Sequence, residues 1–194
     1  MANKVKFGLS NVHIAKITYG TDQQTGNPTI TYGTPFAIPG AVNLTLDAEG
    51  ESADFFADNT KYFSSAANNG YSGSLEIAMI NDQFRSDILG ETVDSKGAYV
   101  ENKDDAISDF ALGFQINGDS KNRRFWFYNV SVNRPSTASQ TIETSKEPVT
   151  DTLDITASAR ITDGAIKVFM EESASNTTQY NGFFNAVYEK TPSA

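Results

Sequence analysis

The sequence predicts a mainly β fold: an antiparallel β-sandwich or barrel with one short flanking α-helix and long loops, in a single domain over 1–194. Three observations carry this. Apolar residues recur with period two in run after run, as they do in strands with one buried face, and such half-buried strands suit antiparallel sheets. Turn signals built on Gly, Asn, Asp and Pro separate the runs. Only one stretch has helical spacing. A chain of 194 residues can bury one sizeable core and needs no disulfide or metal to hold it.

The first strands read as 12–19 and 29–33, divided by Thr25-Gly26-Asn27-Pro28. Next, Val42, Leu44 and Leu46 alternate with Asn43, Thr45 and Asp47, and Leu75, Ile77 and Met79 alternate with Glu76 and Ala78. A helix is expected over 82–89: Asn81 or Asp82 can cap it, Phe84 and Ile88 share one face, and Gly90 can end it in the left-handed conformation. At little more than two turns it must pack on the sheet to persist. Phe110, Leu112, Phe114 and Ile116 then form a strand joined through Asn117-Gly118-Asp119 to another over 122–132, where Phe125 and Phe127 interleave with Trp126 and Tyr128. Leu153, Ile155, Ala157 and Ala159 alternate with Asp154, Thr156 and Ser158, and Asp163-Gly164 turns the chain into Ile166, Val168 and Met170.

Two segments break this rhythm and read as long loops. Residues 47–70 mix Asp47, Glu49, Glu51, Asp54 and Asp58 with Phe55, Phe56, Tyr62 and Phe63. Residues 171–185 are polar up to Phe183 and Phe184. Long loops are uncommon in a compact domain and are often functional. Their aromatic rings either fold back on the chain's own core or form an exposed apolar contact surface.

The catalytic inventory is thin. The chain has no cysteine and one histidine, His13, which excludes thiol catalysis, Cys-ligated zinc and a His-rich metal site. His13 sits in an alternating stretch and reads as a packing or surface residue rather than a catalytic base. No phosphate loop, Gly-x-Ser-x-Gly elbow or His-Glu-x-x-His is present. Asp47-x-Glu49-x-Glu51 has the alternate spacing of a calcium loop, but the sixth-position Gly is missing and Asp58 stands where a bidentate Glu belongs. No enzymatic activity, cofactor or metal is expected. With 15 Lys and Arg against 24 Asp and Glu, the net charge of −9 argues against tight binding of phosphate backbones. The basic cluster Lys121-Asn122-Arg123-Arg124 is expected to pair with carboxylates of its own chain or of a neighbour. No run approaches the roughly 20 apolar residues of a membrane helix. Met1 to Lys16 lacks a signal-peptide apolar region, so synthesis in a cytoplasm is expected.

Several stretches, in order, resemble the major tail tube protein of long-tailed, non-contractile bacteriophages. They include 8–15 (Gly-Leu-Ser-Asn-Val-His-Ile-Ala), Pro39-Gly40-Ala41-Val42-Asn43-Leu44, and Phe55-Phe56-Ala57-Asp58-Asn59 followed by Tyr62. Gly70-Tyr71-Ser72-Gly73-Ser74-Leu75, Ile88-Leu89-Gly90, Phe110 to Phe114, Asn133-Arg134-Pro135 and the Thr-rich 141–156 continue the resemblance, which weakens after 171. It implies six-fold rings stacked into a hollow tube, with genome DNA passing through during ejection. It also implies tape-measure, initiator and terminator proteins as partners, a place in the virion, and assembly in the host cytoplasm. No added immunoglobulin-like domain is resembled. On this reading the loop 47–70, with Phe55, Phe56, Tyr62 and Phe63, and the tail rings Phe183 and Phe184 contact neighbouring subunits. The lumen strands are expected to be 41–47 with 72–80 and 151–161 with 165–170, placing Asp47, Glu76, Asp154 and Lys167 on a net-negative wall. The competing reading is a carbohydrate- or cell-surface-binding β-sandwich, with Trp126 and tyrosines stacking on sugar rings.

Overall fold

A computed structural model describes residues 5, 7–118, 121–141 and 148–191. In chain order its elements are β1 (Leu9–Thr21), β2 (Pro28–Tyr32), β3 (Phe36–Ala37), β4 (Ala41–Glu49), β5 (Ser52–Ala57), β6 (Thr60–Ala66) and β7 (Gly70–Ile77). There follow α1 (Asp82–Asp87), β8 (Thr92–Val93), β9 (Tyr99–Val100), β10 (Phe110–Ile116), β11 (Arg124–Val132), β12 (Asp151–Ser158), β13 (Lys167–Met170) and α2 (Thr177–Asn181). The runs expected to be strands are strands. Asp119 of the expected turn, and 142–147 of the Thr-rich stretch, lie outside the described residues.

One sheet runs β2-β1-β10-β11-β12-β7-β4, with β3 on β1 and β13 on β11, and its neighbours are antiparallel. β11 changes partner halfway along. Its first half, Arg124 to Phe127, pairs with β13, while Asn129 to Val132 pair with β12. There the sheet divides, and the β12-β7-β4 leaf folds over the β1-β10-β11 leaf. Ile14, Leu75, Leu112 and Leu153 from the two leaves meet in one buried cluster. The end strands β2 and β4 do not pair with each other, so the described residues form a sandwich rather than a closed barrel.

The helix α1 closes one end of this core. Asn81 Oδ1 accepts the Phe84 N–H at 2.8 Å, and Gly90, at φ 78°, turns the chain away just beyond Ile88, the C-cap. Phe84 and Ile88 are fully buried, and the Phe84 ring meets Phe110 edge-on at 5.8 Å. Phe84→Ala should therefore destabilise the fold by about 3–5 kcal/mol, read as a lowered urea midpoint at unchanged slope.

β10 and β11 are buried on both faces, which a simple two-leaf sandwich does not require. Their second face carries Ala111, Trp126 and Tyr128, and the chain's own tail covers it with Phe183, Val187 and Tyr188. A Cβ on Gly113 would stand 2.8 Å from the indole, so only glycine lets Trp126 lie flat across β10. Trp126 Nε1 donates to the Phe183 carbonyl at 2.8 Å, and the Tyr128 hydroxyl to that of Tyr188 at 2.8 Å. Two expectations are corrected here. Residues 171–185 are not without regular structure, since they contain α2. Phe183, 1% exposed, faces the chain's own core rather than a neighbour, and Phe184, half-buried, stacks on His13 at 4.7 Å. The physical reason is the apolar outer face of β10 and β11, which needs a third layer.

Candidate assembly surfaces

The segment 47–70 is not an irregular loop. β4 and β7 continue into a two-stranded ribbon, β5 and β6, with Ala67 N–H donating to Glu51 O at 3.0 Å and Asn69 N–H to Glu49 O at 2.9 Å across the joint. A Cβ on Gly50 would lie 2.0 Å from the Ala67 carbonyl oxygen, so glycine lets the two backbones close there. Asp58 and Asn59, at φ 53° and 61°, form the tip, a turn whose hand matches strand twist. The period-two signal failed because neither face of this arm is buried within the chain. The overlooked clue was Asp58-Asn59, two residues that tolerate the left-handed region.

The arm carries its rings into solvent. Phe55 is 61% exposed, Phe56 63%, Tyr62 78% and Phe63 59%. Phe55 lies directly opposite Phe63, and a bulge between Phe55 and Phe56 offsets the pairing beyond it. Asp54 bonds Lys61 at 2.7 Å and Ser64 at 2.7 Å, and these two neighbours hold its carboxyl below the ordinary range. An isolated two-stranded ribbon is marginal in water, and exposed rings of this number mark a contact surface.

The outer face of the β4-β7-β12 leaf is a second surface. The register sets Asn43, Glu76 and Thr152 in one row, Thr45, Ser74 and Asp154 in the next, and Asp47, Ser72 and Thr156 in the third. Glu49 extends the face beyond Asp47, where Ser72 Oγ donates to its carboxylate. Thr150 Oγ1 donates to Glu76 Oε1 at 2.5 Å. Every outward charge on these three strands is a carboxylate, and the positions between are Asn, Ser or Thr. The structure thus brings Asp47, Glu76 and Asp154 together and adds Glu49, which alternation along β4 could have supplied. Lys167 is not among them. β13 pairs with the first half of β11 rather than beside β12, so Lys167 and Phe169, both still exposed at the sheet's edge, stand beside Phe127 and Phe125. Its Nζ contacts the Tyr71 hydroxyl at 2.6 Å and sits 4.4 Å from that ring's centre.

The basic cluster is engaged within the chain: Arg123 Nε lies 2.8 Å and Lys121 Nζ 3.5 Å from Glu171, and Arg124 sits 4.0 Å above the Tyr180 ring. Trp126 is wholly buried, so it does not present the stacking face that the sugar-binding reading assigns to it. His13 Nδ1 lies 2.8 Å from the Asn11 carbonyl oxygen and serves packing.

Arg160, which sequence reading passed over, latches the tail. It is buried, bonds Asp163 at 2.6 Å and Glu189 at 2.7 Å, and lies 4.2 Å above the Tyr128 ring. Burial pushes Tyr128 up to about 12. The Arg160 guanidinium holds Asp163 down at about 2, against an ordinary 3.8. A depressed folded-state value means that ionised Asp163 stabilises the fold fully above pH 3.8, and that this contribution is lost as pH falls to about 2. The urea midpoint of Asp163→Asn should therefore lie below that of the native chain at neutral pH, and the two should converge at the acid end of this window.

These features define an antiparallel β-sandwich protein with an outstretched aromatic arm and an acidic sheet face, a class recognised by its contact surfaces. No helix among the described residues is long and apolar enough to cross a membrane. The profile of the family described as phage tail tube protein matches residues 40–190. The chain belongs to that family and is a structural component of the phage tail and of the virion. Comparison with curated proteins gives no match.

Proposed function

We propose that this chain self-assembles into six-fold rings that stack into the hollow tube through which genome DNA leaves the virion. Assembly takes place in the host cytoplasm, with the tape-measure, initiator and terminator proteins of the same particle as partners. The observation that carries this reading is the arm, which presents four exposed rings that none of the described residues covers. The acidic leaf supports it: turned inward, that face repels DNA and keeps it from adhering to the wall. Electron microscopy of concentrated protein tests the reading. Hollow tubes with six-fold end views are expected, and a persistent monomer would overturn it.

A further inference from the structure

We infer that the mouth of the sandwich is the socket for the arm of a second copy of this chain. The inference rests on the self-assembly reading above and deepens it by naming the receiving surface. Between the two leaves the sandwich is open along one side. Two adjoining cavities, about 390 and 290 Å³, share Leu44, Phe114 and Ile116 in their walls and so form one continuous apolar groove. Val42, 53% exposed, lines one end, and Phe125 and Lys167 line the other.

Charge and place in the fold select the occupant. Among the described residues, Lys167 is the only charged one that lines the groove. Beside the exposed rings, the arm offers the carboxylates of Glu51 and Asp58, while Asp54 is paired with Lys61 within the arm. An apolar ribbon edged with acid is complementary to an apolar groove with one cation. The chain's own arm does not fill its own groove. It leaves the sandwich at Glu49 and Gly70, beside Tyr71 at the Lys167 end, and its rings remain in solvent. Arm and groove are different surfaces, so the contact is head-to-tail and each copy can both give and receive.

Complementation tests this. An arm-defective chain, Phe55→Ser with Phe56→Ser, retains its groove. A groove-defective chain, Val42→Arg with Lys167→Glu, retains its arm; both positions are exposed, and circular dichroism verifies folding. Neither variant alone should extend beyond its smallest unit, chain or ring. Mixed, they should pair into a two-unit species in sedimentation velocity, because one productive contact is restored, and growth should stop there. Native tubes alongside a groove variant that polymerises normally would overturn the socket and leave the tube reading standing. A mixture that fails to pair while native tubes form would do the same. A native chain that stays monomeric would overturn both.

Discussion

Phe55→Ser combined with Phe56→Ser is expected to leave a folded monomer that does not polymerise. Both rings are solvent-exposed within the chain, so replacing them removes little intramolecular packing. The main internal loss is the cross-strand contact of Phe55 with Phe63, on the order of 0.2–1 kcal/mol in a ribbon outside the core. At an interface the balance differs. Burying one such ring contributes roughly 1.5–3 kcal/mol, so losing two weakens each contact by about 3–6 kcal/mol, or roughly 10²- to 10⁴-fold. In the proposed assembly every subunit makes the contact, so the concentration needed for assembly should rise by a comparable factor. The thermal midpoint, read by circular dichroism, should stay near that of the native chain while sedimentation shows tubes replaced by small species. Normal tubes from the double variant would show that the arm is not an assembly element.

The legible parts of this fold are those where burial is one-sided. β4, β7 and β12 each alternate because one face meets the core, and their outlines were readable to within a few residues. The helix was readable because Asn81, Phe84, Ile88 and Gly90 each occupy the position helix physics assigns them. Where burial is two-sided or absent, the period carries no information. β10 and β11 are covered on both faces, so nothing local showed that Phe183 and Phe184 supply the third layer. β5 and β6 are covered on neither, so a regular ribbon looked like a loop. Lys167 was misplaced for a topological reason. Alternation along β13 is clear, but which face it presents depends on the half of β11 that it joins. The carboxylates Asp47, Glu76 and Asp154 share a face because β4, β7 and β12 are sheet neighbours with matched parity.

Replacing Asp47, Glu76 and Asp154 by lysine is expected to turn a non-adhesive tube into one that holds DNA. The three side chains lie on the outward face of one leaf, away from the core, so the substitutions should leave the fold and the arm intact. In the native chain every charge on that face is a carboxylate. If it lines the channel, as proposed, repulsion centres the duplex and no layer grips it. Screening confines the effect to side chains within about 8 Å of the duplex at physiological salt, so the sign of this face matters more than the overall charge of −9. Lysines there would instead release counterions from the phosphates, and binding would fall with salt at a slope of about 0.9 per phosphate contact. Repetition of those contacts in every ring would brake passage along the tube. Native tubes should therefore retain no duplex DNA in a co-sedimentation assay at low salt, whereas tubes of the triple variant should retain it and release it as salt rises. Neutral replacements, Asp47→Asn, Glu76→Gln and Asp154→Asn, should fall between. Native tubes that retain duplex DNA, or a ring structure in which this face points outward, would remove the acidic wall from the account of DNA passage.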